Sequence, residues 1–454
     1  MQKLFLPRIT KITKLAFLLF LASVPFCLAY PLNFLEKNKS FTSFSLYNVY
    51  LIDFTAAFLI LVFLANLFSH KKSILAFCKN KLCFFFAPAL AFALLAVFSF
   101  SWSGSPLLSF IDGMRIFLII SAVLITIFIS SKSRHYRSIF RKTLIAAGSV
   151  ESLIAFGQFI FGRSLGLYLL GESHLGSEIL GLARINLLGH DFLRAYGTFP
   201  HPNMLGGFLL FTLVITYVHR SIGNRNILLG LQILGLFLTF SRSAILGLTI
   251  IILFLYLSSR VKPWDLSQIK KEIPPLHFNS VGMTILIILL FSLFIIRAPI
   301  QNIFSGRSES VQIRLEYAGA AYHRFLDSPL LGRGWGSGPV ELLAFSSFPF
   351  YPWEMQPVHN IYLLVLSDLG IIGLFSFLYF IYRVLAGPKN IWKFLLIAYL
   401  FIGFFDHYFL TLPQGIFIFF GSALLACPPK EKLELAKAAA LKAKQKKQKT
   451  PRPE

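Results

Sequence analysis

Four residues of this chain have types and settings suited to chemistry. His359 stands in Pro357-Val358-His359-Asn360, between a segment rich in Gly, Pro and aromatics and a long apolar run. An imidazole titrates near 6.5 and can take a proton at neutral pH. The competing reading is that His359-Asn360 only caps the helix that follows. Arg242 lies in Thr239-Phe240-Ser241-Arg242-Ser243-Ala244-Ile245-Leu246, between two apolar runs. It either snorkels to mark a helix end or belongs to a site, since a charge at a membrane edge is costly. Arg314 lies in Ser310-Val311-Gln312-Ile313-Arg314-Leu315-Glu316-Tyr317-Ala318. There Val311, Leu315, Ala318, Tyr322 and Phe325 recur at helical spacing as one apolar stripe with Arg314 at its edge. An ion pair with Glu316 is the alternative role. Arg194 heads Arg194-Ala-Tyr-Gly-Thr-Phe-Pro-His-Pro-Asn203. Arginine stays charged and grips phosphate oxygens two at a time. A base and such forks together suit a phosphate-bearing substrate.

The elements that must position these residues are membrane helices. The 454 residues are 56% hydrophobic and 14% charged, with mean hydropathy +0.70 and 51 Phe. Soluble domains carry about 25% charged residues, so the bilayer is the solvent for most of this surface. A span needs about 20 apolar residues. Candidates fall near 15–31, 46–68, 83–101, 111–131, 140–161, 203–219, 226–241, 243–258, 281–297, 359–382, 391–410 and 413–427. The expected class is therefore all-α and polytopic, with about 12 transmembrane helices and a long external loop carrying short amphipathic helices. The split between 226–241 and 243–258 rests on a Ser-Arg step alone. The basic start and first apolar stretch resemble a signal peptide, but the exit Val24-Pro25-Phe26-Cys27-Leu28 lacks a small-x-small cleavage site, so a retained first helix is expected. In the tenth span, Gly370 and Gly373 are expected to allow close helix packing. Asp368 would lie about 14 Å deeper than His359 at ~1.5 Å per residue, within reach of a buried polar group such as Glu151. Asn360 and these three residues are possible supports for the site.

The net charge of +24 does not point to nucleic acid, because the basic residues sit in short loops and a tail rather than on a soluble domain. With both termini in the cytoplasm, every inside loop is basic and most of the 43 Lys and Arg fall inside. The domain reading is 1–297 for transmembrane helices one to nine, 298–357 for the external loop, 358–428 for helices ten to twelve, and 429–454 for a basic cytoplasmic tail. A second external segment spans roughly 163–202. The cations left outside include Arg163, Arg184, Arg194, Arg242, Arg307, Arg314, Arg324 and Arg333, with no lysine beyond Lys39. That pattern fits a phosphate-bearing lipid headgroup. The cysteines Cys27, Cys78, Cys83 and Cys427 lack metal-ligand spacing, and no nucleotide-binding Gly-rich motif with Lys occurs. The energy for any reaction must then come with the substrate.

At this point the residues carry a resemblance. His359-Asn360, nine residues and Gly370-x-x-Gly373 resemble the signature of O-antigen ligases, and Arg242-x-x-x-Leu246 is similar to their second signature. The run from Arg194 to Asn203, and Ser328-Pro-Leu-Leu-Gly-Arg-Gly-Trp-Gly336, resemble further stretches of the O-antigen ligase and polymerase superfamily. The resemblance covers roughly 190–380, in the right order. It implies a bacterial inner-membrane enzyme with its active site on the outer face. The donor would be a glycan on undecaprenyl diphosphate, the acceptor a lipid or polymer with a free hydroxyl, and the partners these two and membrane lipid, with no nucleic acid. Transfer would need no metal or other cofactor; the absence of any Asp-x-Asp pair agrees. Arg242 and Arg314 would hold the diphosphate, Arg194 would assist, and His359 would activate the acceptor. A polymerase of the same superfamily is the nearest alternative, and a lipid-linked glycan transporter a more distant one.

Overall fold

The structure, a computed structural model, describes residues 10–31, 48–68, 81–179, 181–187, 189–260, 309–350, 354–387 and 390–427. The expected span 281–297, the loop residues up to 308 with Arg307, and the tail 429–454 lie outside the described residues. The chain is mostly helical. Its helices are α1 (Lys11–Ser23), α2 (Leu51–Phe68), α3 (Lys81–Phe98), α4 (Pro106–Lys132), α5 (Arg134–Phe161), α6 (Pro202–Val218), α7 (Arg225–Leu238) and α8 (Arg242–Arg260). After these come α9 (Glu309–Asp327), α10 (Gly338–Phe345), α11 (Ile361–Leu385), α12 (Ile391–Ile402), α13 (Tyr408–Thr411) and α14 (Pro413–Leu425). Two small antiparallel ribbons accompany them: β1 (Ala29–Pro31) with β2 (Asn48–Tyr50), and β3 (Arg184–Leu187) with β4 (His190–Leu193).

Among the described residues, four helical stretches, Leu51–Phe68, Pro106–Ser131, Arg134–Phe161 and Ile361–Leu385, are long and apolar enough to cross a membrane. Six more are apolar and shorter. The packing partners are α3 with α4 and α11, α5 with α6 and α7, α8 with α12, and α4 with α14. One buried apolar core, with Phe17, Phe92, Phe208, Phe377 and Phe417 among its fully enclosed rings, runs through them. Such ring-rich packing gives van der Waals contact where lipid offers no hydrophobic drive between helices.

The helix ends depart from the expected spans for local reasons. The first helix stops at Ser23 rather than near 31, ahead of Pro25, which cannot donate to a continuing helix. The weak split holds: α7 and α8 are separate, parted at Phe240, whose φ of 45° is a left-handed conformation that a bulky side chain rarely adopts. The span expected over 391–410 ends at Ile402, and the Gly403 carbonyl instead accepts the N–H of Ile361 at 2.8 Å, tying the end of α12 to the start of α11.

The largest correction lies in α11. Gly370 has φ 63° and ψ −164°, a region open essentially to glycine alone. The helix breaks there, and the 329–334 segment docks into the gap. The N–H groups of Ile371 and Ile372 donate to the carbonyls of Pro329 and Leu330 at 2.9 and 3.3 Å, and those of Arg333 and Gly334 donate to Ser367 and Asp368 at 3.1 and 2.9 Å. Backbone groups freed in a membrane helix must find partners, and these do. A Cβ on Gly370 would come within 2.3 Å of the Leu330 oxygen, and one on Gly373 within 2.2 Å of the Leu369 side chain. Neither glycine serves the helix-helix packing expected of it; both serve the break. Nor does Asp368 pair with Glu151. It takes Arg324 at 2.7 Å and the Gly336 N–H at 2.9 Å, because the break brings the end of α9 against it. Glu151 instead accepts the N–H and hydroxyl of Thr198 at 2.9 and 2.7 Å.

The face of α9 also differs. Its buried positions include Tyr317, Ala320, Ala321 and Arg324, whereas Leu315 and Tyr322 of the expected apolar stripe are exposed. Arg324 on this face reaches Ser367 and Asp368 of α11, at 3.3 and 2.7 Å.

Candidate active site

The site is built at the mouths of several helices. The segment after β4 is pinned to the end of α7, with the Ala195 N–H on the Leu238 carbonyl at 3.0 Å and Arg194 Nε on the Thr239 carbonyl at 2.8 Å. The other edge of Arg194 donates to Asn203 Oδ1 at 2.7 Å. Asn203 opens α6 beside Pro202, and its N–H donates to His201 Nδ1 at 3.1 Å. Its amide then donates to Asp406 Oδ2 at 2.7 Å. The second oxygen of Asp406 accepts the His407 N–H at 2.9 Å. The chain Thr239–Arg194–Asn203–Asp406–His407 thus joins the turn that starts α8 to the turn that follows α12.

His359 closes the circle. Its ring lies parallel to Tyr317 of α9, with centroids 5.5 Å apart at 8°, and edge-on to His407 at 4.9 Å and 85°. Tyr317 is fixed by Phe350, stacked at 5.2 Å, and by a hydroxyl bond to the Glu354 carbonyl. His407 is held through Nδ1 by Thr411 Oγ1 at 2.8 Å. Asn360 caps α11, accepting the N–H groups of Tyr362 and Leu363 at 3.0 and 2.9 Å. The capping role thus falls to Asn360, and His359 is left facing the cluster.

The structure brings His359, Arg194, Arg242 and Arg314 into one electrostatic neighbourhood. The positive fields of Arg242 and Arg314 both reach Arg194, and that of Arg314 also reaches His359 and His407. Burial pushes Arg194 down to about 10, helped by those two cations and opposed by Tyr196 and Asp406; it remains charged at neutral pH. Burial holds His359 well below 6.5, and His407 and Arg314 act in the same sense, against a weak pull from the Pro357 backbone. His407 is pushed down to about 4 by burial, which outweighs the opposing Asp406. Both imidazoles are therefore neutral at pH 7.

Arg242 and Arg314 are exposed, and among the described residues neither makes a hydrogen bond or ion pair. Glu316, the expected alternative partner of Arg314, accepts the Ser346 hydroxyl at 3.3 Å instead. Three other members of the expected external arginine set have partners. Arg324 pairs with Asp368 and Glu341, Arg333 with Glu341 and Asp327, and Arg184 donates to the Gly176 carbonyl at 2.7 Å. Unpaired guanidinium groups that share a field with neutral imidazoles have the chemistry to hold an anion and to accept a proton near it.

Sequence reasoning missed Asp406 and His407, which it placed inside a continuous span, and Tyr317, which it took for an ordinary helix residue. The signal available was the only Asp-His step in the chain, set in an otherwise apolar run. Asp368, Gly370 and Gly373 belong to the neighbouring α9–α11 junction rather than to the cluster.

No curated protein matches this chain. Residues 227–378, from α7 into α11, match the family model described as O-antigen ligase. The matched stretch carries Arg242, Arg314, His359 and the broken helix at Gly370, in the order already set out. Over that third of the chain, the protein is similar to the O-antigen ligase family.

Proposed function

We propose that this protein transfers a glycan from undecaprenyl diphosphate to an acceptor hydroxyl, on the outer face of the bacterial cytoplasmic membrane. The observation that carries the reading is the pair of unpartnered arginines, Arg242 and Arg314, sharing one neighbourhood with a neutral His359. The acceptor oxygen attacks the anomeric carbon as His359 takes its proton. The bond from that carbon to the diphosphate oxygen breaks, and the electron pair leaves with the diphosphate. Arg242 and Arg314 stabilise the charge that develops there, and Arg194, held by Thr239 and Asn203, adds to the field. Attack from the face opposite the leaving group inverts the anomeric configuration. Cations supplied by side chains make a metal unnecessary, so transfer survives EDTA. In this reading both termini are cytoplasmic, 298–357 lies outside, and 429–454 is a basic cytoplasmic tail.

A donor glycan with a labelled sugar tests the reading. A ligase yields one transfer to a distinct acceptor, whereas a polymerase of the same superfamily yields a ladder. A protein that yields neither makes no bond, and the proposal fails. His359→Ala should lose transfer by about 10²–10⁴-fold while still binding the lipid-linked donor, because the arginines remain. If that variant binds no donor, the base lies elsewhere.

A further inference from the structure

The segment that follows α5 has an internal framework of its own. Gly162, left-handed at φ 63°, ends the helix. The Glu172 carboxylate then accepts the N–H groups of Leu165 and Leu167 at 2.7 and 2.6 Å and the Gln158 amide at 2.8 Å. Gly171, at φ 90°, lies so close to Cys27 that a Cβ would come within 2.7 Å of its backbone. Leu175 packs with Leu193 and Tyr196, the residues on either side of Arg194 and Ala195. The loop is thus held against α5, the 24–31 segment and β4.

Its open side is a hollow of about 740 Å³ whose lining includes Arg163, Ser164, Tyr168, His174, Ser177 and Glu178. Tyr168 and His174 stack with centroids 4.3 Å apart and 29° between planes, so that each ring backs the other, and Tyr168 is 44% exposed. The Tyr168 hydroxyl is steadied by Ser164 Oγ at 2.9 Å. Arg163 and Glu178 are exposed, and among the described residues neither forms an ion pair. The volume is within the ~300–1,000 Å³ of small-ligand sites. A flat aromatic face takes the C–H side of a pyranose ring, and a guanidinium fork, a carboxylate and hydroxyls take its rim of hydroxyl groups. Glu178 disfavours a second anion here, which separates this chemistry from that of the arginine cluster. We infer that the hollow formed by 163–179 is a saccharide subsite, with Tyr168 and His174 as its platform and Arg163 and Glu178 as its polar clamps. The sugar belongs either to the donor glycan or to the acceptor; that role in transfer rests on the function proposed above, whereas saccharide binding does not.

Saturation-transfer NMR on the full chain in detergent, with the methyl pyranosides of glucose, galactose, rhamnose and N-acetylglucosamine, tests binding directly. At least one should receive saturation on its ring C–H groups. The effect should disappear in Tyr168→Ala, weaken in Arg163→Ala, and persist in Tyr168→Phe, which keeps the ring. No transfer to any of the four, or an equal signal in Tyr168→Ala and Arg163→Ala, overturns the assignment. In the transfer assay, loss of the platform should raise one KM by roughly tenfold. A raised acceptor KM assigns the sugar to the acceptor, and a raised donor KM assigns it to the donor. Two unchanged KM values overturn the role in transfer, and the NMR result stands apart from whether transfer occurs at all.

Discussion

At the scale of single residues, guanidinium geometry and imidazole protonation lead to separable predictions. Arg242→Ala should lower transfer by about 10²–10³-fold, the range seen when one donor to a developing anion is removed. Arg242→Lys keeps the charge but not the fork, so its loss should be smaller and still measurable in kcat. A fully active Arg242→Ala that folds and inserts would remove Arg242 from the proposed clamp. His359 is held well below 6.5 by burial, His407 and Arg314. The base must be neutral, so the acid limb of the pH–rate profile should lie below the usual histidine range. Removing a nearby cation raises an imidazole pKa. The residual activity of Arg314→Gln should therefore fall away at a higher pH than that of the parent. An unmoved limb would show that Arg314 does not act on the titrating base. Residue type and local spacing single out Arg194, Arg242, Arg314 and His359 in the sequence as candidates. Asp406 and His407 were not, since their roles rest on contacts such as Asn203–Asp406, 203 positions apart.

At the scale of elements, apolar runs were legible and their interruptions were not. Hydropathy sees 359–382 as one span, yet the backbone turns out of helix at Gly370 and accepts another segment. Two glycines three positions apart look like a packing motif; only the φ and ψ of Gly370 and the carbonyl of Leu330 reveal a break. Gly370→Ala should thus cost of order 1–3 kcal/mol from backbone conformation alone, and more from the approach of the Leu330 oxygen. A lowered unfolding midpoint in detergent, together with lost transfer, is the expected result. A midpoint equal to that of the parent would mean that the break is not required. The α9 stripe failed as a guide for a related reason: periodicity finds the apolar face of a helix but not what that face meets.

At the scale of the whole molecule, composition sufficed for the class of mostly helical membrane protein, because so little charge cannot cover so much apolar surface. Loop charge led further, to sidedness, which labelling can test. In a cysteine-free background, Ser347→Cys in the loop after α10 and Ser221→Cys between α6 and α7 both place a thiol at an exposed position. An impermeant maleimide applied to intact spheroplasts should reach the first and miss the second. The opposite pattern would invert the molecule and move the proposed chemistry to the cytoplasm.

Asp406 holds His407 with one oxygen and, through Asn203, Arg194 with the other. This sets an order of events during synthesis. Ribosomes deliver Arg194, Arg242, Arg314 and His359 well before Asp406, so the arginines and the proposed base are made ahead of the piece that fastens the two sides of the cluster together. If the proposed site acts as described, a nascent chain can hold a lipid-linked anion on its arginines but completes no transfer until the segment with Asp406 has arrived. A chain stopped after Gly403 should accumulate without transferring sugar, and supplying 404–454 as a separate polypeptide in the same membrane should restore transfer.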